Sequence, residues 1–431
     1  VQSTRSQVVG ARLGLGFTAG LAPAVRANMM TELWGSVAYG IFWAAALQFV
    51  PVVLRRMGAG PELLALYSSQ TYIGFILTSL SVVLMRGRRT KNFAVWCWMT
   101  ARATFLIFAF VSQVYWLMAV MAVFWILEAF PSPAYTRIIQ VIYPQEVRGK
   151  VMSVVRLGMT GAIILTTPFA GWMLDHWGYR VLFPLAALAG ILATWFFNRL
   201  DVDEGTLPPR QTHSIMALWA MVLRNRNFVV HLASFTLFGI GALVGIAFYP
   251  IVQVDRLHLS YTTIGLLGTA QSITWMLGFV FWGRVVDSRG GIFVMRINLL
   301  IGALVPFAYI FADNAWMLLP AFIAQGVISA GIDLGLLSTC IHLAEEDKVV
   351  EYAAVQSTVI GIRGLIAPFI GVWLVHLGMT ETAIFAIGTL LTLLAFVVAL
   401  QIRTPLTPEQ MRARRERLRF RFPLRFKFPR I

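Results

Sequence analysis

Charged and hydrogen-bonding side chains recur at helical spacing inside stretches that are otherwise apolar. Glu128, Ser132 and Thr136 follow one another every four residues, as do Gln325, Ser329 and Asp333. Arg156, Thr160 and Thr167 share one helical face, Gln356 and Arg363 another, and Arg102 stands alone in a third apolar run. A charge in hydrocarbon is costly, so each needs a partner or a water-filled path. The chemistry such groups offer is proton carriage and recognition of a small solute. A carboxylate buried away from cations holds its proton, and Glu128, then Asp333, are the candidate carriers. Counted at 1.5 Å per residue, Asp333 and Arg363 lie at similar depth, ~12 and ~16 Å from one surface, and are expected to pair. Arg102 and Glu128, at ~15 and ~20 Å, form a second expected pair. The same stripes would equally serve as polar glue between helices.

The elements that hold these groups are apolar runs near 31–54, 67–85, 92–111, 114–142, 151–174 and 180–198. Six more follow near 227–251, 262–283, 292–311, 316–341, 352–375 and 381–402. Each approaches or exceeds the ~20 residues that cross ~30 Å of hydrocarbon as helix. Backbone groups in lipid must bond internally, and no strand-like alternation is visible, so the runs are predicted helices. Of the 431 residues 58% are hydrophobic and 13% charged, and the mean hydropathy is +0.74. That composition excludes an ordinary soluble domain.

One of these runs has a duplicate. Gly161, Leu165, Pro168, Phe169, Gly171, Leu174, His176 and Gly178 recur two hundred positions on as Gly361, Leu365, Pro368, Phe369, Gly371, Leu374, His376 and Gly378. Unrelated apolar helices would share roughly one or two of these. A half-chain repeat of membrane helices points to a transporter of two related bundles. The division expected is an N-terminal segment (1–30), a six-helix bundle (31–198), a linker (199–226), a second six-helix bundle (227–402) and a basic tail (403–431). Pro168 and Pro368 each remove a backbone hydrogen bond and loosen their helices, one turn before Gly171 and Gly371.

The net charge of +16 is distributed by side. With the N-terminus inside, inner segments hold Arg5, Arg12 and Arg26, Arg86 to Lys91, Arg148 and Lys150, Arg199 to Arg226, Arg284 and Arg289, Lys348 and the tail. The outer loops hold Arg55, Arg56, Arg180 and Arg256. Both termini are therefore expected in the cytoplasm, the chain spanning the inner membrane with its tail on the anionic leaflet. No soluble domain is left to bind nucleic acid, no metal or cofactor motif is visible, and a monomer is expected. The histidines do not gather with a nucleophile, so catalysis is not expected. There is no phosphate-binding loop of the Gly-x-x-x-x-Gly-Lys-Ser/Thr kind, which leaves a gradient as the energy source.

Gly283, Asp287, Arg289 and Gly290 form a loop that matches the Gly-x-x-x-Asp-x-x-Gly signature of the major facilitator superfamily, and the sequence resembles that family across all twelve spans. The run Pro144 to Gly149 is similar to the family's turn before the fifth span. The loop after the second span keeps Arg86-Gly87-Arg88-Arg89, with Leu80 and Leu84 where the family has Gly and Asp. The resemblance implies an all-α membrane protein of twelve transmembrane helices in two pseudo-symmetric bundles, with the fourth, fifth, tenth and eleventh lining a central path. Asp287 is expected to cap the fifth helix near Val151–Ser153 and latch the inner side; a local pairing with Arg284 or Arg289 is the alternative. Trp34, Tyr39, Trp43, Gln48, Gln271 and Trp275 are candidate pocket residues, and their aromatic character suits an apolar or amphipathic cargo. Thr167-Pro168-Phe169-Ala170-Gly171 loosely resembles the family's exporter motif, so proton-coupled export is the expected function. A non-transporting assembly or receptor protein, or an uptake symporter or uniporter, are its alternatives.

Overall fold

The structure, a computed structural model, describes residues 20–85, 89–203, 215–345 and 348–402. Most of the N-terminal segment, Arg86 to Arg88, most of the 199–226 linker, Glu346, Asp347 and the basic tail fall outside them. Among the described residues every regular element is helical. Ten helices are long and apolar enough to cross a membrane.

The chain opens with α1 (Pro23–Phe42), which loosens into a turn of π-helix at Trp43–Leu47 and resumes as α2 (Val50–Arg56). Pro51 explains the break: it has no N–H for the carbonyl one turn back. Two shorter pieces, α3 (Pro61–Gln70) and α4 (Ile73–Leu84), follow. Then come α5 (Thr90–Ala103), a 3₁₀ stretch at Thr104–Ala109, α6 (Val114–Ala129), α7 (Ser132–Ile142), α8 (Gln145–Trp177) and α9 (Tyr179–Asn198).

The expected spans at 67–85 and 92–111 are thus helical but interrupted. Thr71 and Thr104 each bond their own hydroxyl back to a carbonyl three residues earlier, at 2.7 and 2.6 Å, competing with the helical ladder where it breaks. The other ten expected spans each contain one of the ten long helices.

After the surface helix α10 (Ile215–Arg224), α11 (Arg226–Val244) leads through a turn at Tyr249–Ile251 into a second π turn, Val252–Arg256. The remaining elements are α12 (Tyr261–Arg289), α13 (Gly291–Gly302), α14 (Leu304–Ile310), α15 (Ala315–Leu343), α16 (Val349–His376) and α17 (Glu381–Ala399). α8 packs along α12, and α16 packs against α3 and α4, so the matched segments of the repeat both lie on elements of the opposite half.

An aromatic cluster of Phe42, Phe105, Phe108, Phe124 and Phe183, mostly edge to face, fixes α1, α5, α6 and α9 together. Trp96, Tyr115, Trp116 and Trp316 are instead exposed, as residues meeting lipid or its interface would be.

Candidate functional site

α1 begins at Pro23, eight residues before the predicted span, and this places Glu32 well inside the helix. Glu32, Gly35 and Tyr39 then share the face turned to α5, α6, α7 and α8. Between these helices lies a cavity of about 290 Å³, whose polar lining includes Glu32, Tyr39, Arg102, Glu128, Tyr135 and Arg156. Glu32 is buried, and both its carboxylate oxygens accept phenolic hydrogens, from Tyr135 and from Tyr143, each at 2.6 Å. Among the described residues no cation forms an ion pair with it. Sequence reading passed over Glu32, because it stood at the margin of its predicted run; its signal was being the sole carboxylate of the first apolar segment.

Arg102 and Glu128 come together as their depths implied, Nη2 to Oε1 at 3.3 Å. Arg102 also donates to the Gly190 carbonyl at 3.1 Å and to Thr194 Oγ1 at 2.9 Å, and its guanidinium lies over the rings of Tyr39 and Trp98. The cation is therefore held on three sides, and its carboxylate partner faces the cavity. Glu128 Oε2 is buried and has no hydrogen-bond partner among the described residues.

The second expected pair is not formed. Asp333 turns to Arg156 on α8, at 3.9 Å, with Trp275 beside it, and this pair joins the two halves of the chain. Arg363 instead donates to the carbonyl of Phe235 and covers that residue's ring at 4.1 Å. Equal depth did not make Asp333 and Arg363 neighbours, because their helices present them to different sides. The Arg156 and Asp333 side chains are 54% and 39% exposed, and exposed pairs contribute at most about 1 kcal/mol. Asp333→Asn is accordingly expected to leave thermal stability within about 1 kcal/mol of the parent, read as the melting shift of purified protein.

Other predicted positions scatter. Gln356 is buried and shares a 3.0 Å hydrogen bond with His231 of α11. Gln325 is exposed; Gln271 packs where α12 passes α15 at Gly326; Trp43 lies in the first π turn beside Tyr39. Gln48 bonds Thr167 at 3.2 Å and sits against Gly268, between α8 and α12. Pro168 and Pro368 lie inside helices that run on past them.

The loop after α12 departs from expectation. Gly290, at φ +81°, turns the chain from α12 into α13, and Arg289 lies over the Phe293 ring. Asp287 is exposed and makes no ion pair among the described residues, with Arg284 and Arg289 or with α8. A cap at Val151–Ser153 is excluded here for a simple reason: α8 starts at Gln145, so those N–H groups are already inside the helix.

A different carboxylate does at the other end what Asp287 was expected to do. Asp175, in the last turn of α8, accepts the backbone N–H groups of Tyr261 at 2.9 Å and Thr262 at 2.8 Å, and the Thr262 hydroxyl at 2.6 Å. Arg56 lies 3.8 Å from the same carboxylate, donates to the Leu259 carbonyl at 2.6 Å and stacks on Tyr261. Arg55 makes a bidentate pair with Asp255, and His376 meets Glu62 at 3.0 Å. All of these contacts bridge the two halves at the Arg55 end. At the Gln145 end, among the described residues, nothing comparable does.

The sequence match is decisive about family. The model of the Major Facilitator Superfamily matches twice, over residues 33–256 and again over 232–428. The chain belongs to the Major Facilitator Superfamily. Among solved structures, the nucleoside transporter NupG, in a point-mutant form, is similar in fold at a TM-score of 0.70 and 11% identity, covering 88% of this chain and 100% of that one. Comparison with curated proteins finds no match. As a superfamily member the chain is a multi-pass membrane protein, and its class of activity is secondary transport of a small solute rather than catalysis.

Proposed function

We propose that the protein carries a small solute with polar and apolar faces inward by alternating access, coupled to protons. Twelve spans divide into bundles of 31–198 and 227–402 that rock about a pseudo-two-fold axis, the broken helices α3–α4 and the α5 segment counting as the second and third spans. The excess of Lys and Arg at the Gln145 end puts both termini in the cytoplasm and the basic tail against anionic lipid, and a monomer suffices. The observation that carries this reading is the contrast between the two ends. Bridging contacts crowd the Arg55 end, whereas the Arg156–Asp333 pair is long and half exposed. Such a molecule is closed outside and open inside. In the opposite state Asp287 would meet the true start of α8, at Gln145–Val147.

Uptake is favoured over export on two grounds. The exporter-like Pro168 motif is shared by the second half at Pro368, which makes it a property of the repeat. The solved protein of similar fold is a nucleoside transporter. Glu32 is the better proton carrier than Glu128, which is neutralised by Arg102, because Glu32 is held by neutral phenols that can give or accept its hydrogen bonds. In proteoliposomes, uptake of the right solute class from a panel of nucleosides, sugars and organic cations should accelerate when the outside is made acidic. Glu32→Gln should abolish the acceleration and retain counterflow exchange. Wild-type flux indifferent to the gradient would end the coupling claim.

A further inference from the structure

The repeat advances by two hundred residues, as Gly161 to Gly361 shows, and the contacts at the outer end obey the same offset. Arg55 and Asp255 are equivalent positions and bond to each other, so a pseudo-two-fold axis passes between them. On one side of it the end of α8 meets the start of α12, through Asp175 and Thr262. On the other the end of α16 meets the start of α3, through His376 and Glu62. Thr262 and Glu62 are themselves equivalent. The two contacts are the same joint built with different chemistry.

That difference sets their strengths. The first turn of a helix carries unpaired N–H groups and a partial positive charge. At α12 a carboxylate from the opposite half fills that position, taking two N–H groups and a hydroxyl at once, while Arg56 closes over it. Asp175 is largely shielded, its side chain 21% exposed. At α3 the helix supplies its own first-turn acid, Glu62, and the opposite half offers an imidazole; these side chains are 56% and 62% exposed. Val375 occupies the position equivalent to Asp175, so the second joint has no carboxylate to give.

We propose that Asp175 is the extracellular latch of this transporter: it holds α12 of the second half to α8 of the first and sets the balance between outward-open and inward-open states. The His376–Glu62 joint closes with it but contributes little. The assignment rests on the alternating-access reading. It goes further in naming one carboxylate, on one side of the axis, as the group that must release before the outer end parts. Close approach is built into the same joint, since a side chain at Gly171 would strike the Tyr261 carbonyl, 2.5 Å from its Cβ.

Gln48 lies beneath the joint, bonded to Thr167 and packed on Gly268 seven residues down α12. A cysteine there, Gln48→Cys, reports opening from outside through its rate of reaction with a membrane-impermeant thiol reagent. The rate is read in right-side-out vesicles against the same protein without that cysteine, since Cys97 and Cys340 are native. Adding Asp175→Ala should raise the rate roughly three- to thirtyfold. Thr262→Val, which removes one of the three bonds, should raise it less, and His376→Ala should leave it within about twofold. If Asp175→Ala fails to insert, Thr262→Val and Asp175→Asn carry the test. Rates unchanged in every properly inserted Asp175 and Thr262 variant, or a larger rise in His376→Ala, would overturn the assignment. Solute flux measured in parallel separates the two readings: faster labelling without any flux leaves the latch standing and removes transport, and unchanged labelling with flux does the reverse.

Discussion

Arg102→Leu is expected to cost about 3–5 kcal/mol of stability, the largest loss from removing any one charge in the molecule. The substitution does not merely delete a 3.3 Å ion pair. It strands Glu128 between α5 and α6 and leaves the Gly190 carbonyl and the Thr194 hydroxyl without the donor they share. A buried carboxylate without a cation must take up a proton or draw in water, and either penalty falls on the folded state. The double substitution Arg102→Leu with Glu128→Leu should recover most of the loss, because buried pairs roughly break even with apolar replacements. Thermal melting in detergent of the two single variants and the double one decides it. Singles and double that fall by equal amounts would mean that packing, not charge, fixes this site.

Gly371→Ala should be comparably damaging, and its mate in the test is Gly161→Ala. A Cβ on Gly371 would sit 1.9 Å from the carbonyl oxygen of Val244, and that atom belongs to the backbone of α11, which cannot step aside like a side-chain tip. Helices α16 and α11 would have to part along their contact, at about 3 kcal/mol or more. Gly161 has nothing within 4 Å of the same added atom, and alanine is the better helix former by roughly 0.5–1 kcal/mol. One methyl group should therefore lower the melting temperature sharply at 371 and raise it slightly at 161. Both glycines belong to the same repeated pattern, so the sequence alone gives no ground for separating them.

That pair shows where sequence reading stops. Apolar runs and the recurrence of Gly161 to Gly178 as Gly361 to Gly378 were enough to expect a helical membrane protein with a duplicated plan, because lipid allows few other solutions. Depth along a helix correctly brought Arg102 to Glu128. Depth says nothing of azimuth, and so Asp333 was assigned to Arg363 when its helix turns it to Arg156. Glu32 and Asp175 went unnoticed because each stood at the margin of an apolar run, where a charge is unremarkable until the neighbouring helix is known. The expected cap on α8 erred for a related reason: hydropathy marks where apolar residues begin, and this helix begins six residues earlier, at Gln145. The interruptions at Thr71 and Thr104 lowered no hydropathy value, since the residues that bond back to the helix carbonyls are small and only weakly polar.

The two π turns, Trp43–Leu47 and Val252–Arg256, bear on how this chain can tolerate change in length. A π turn winds one more residue than the α-turn it replaces. Beyond the first one, α2 carries Arg55 and Arg56 at an azimuth set by that surplus residue. Deleting Ala45 would rewind the turn as ordinary helix and rotate everything after it by about 100°, swinging Arg55 away from Asp255. A single alanine, with no polar atom in its side chain, thus aims the charges at the mouth of the molecule. Relatives that lack a residue here must either seal that mouth with other side chains or leave it unsealed.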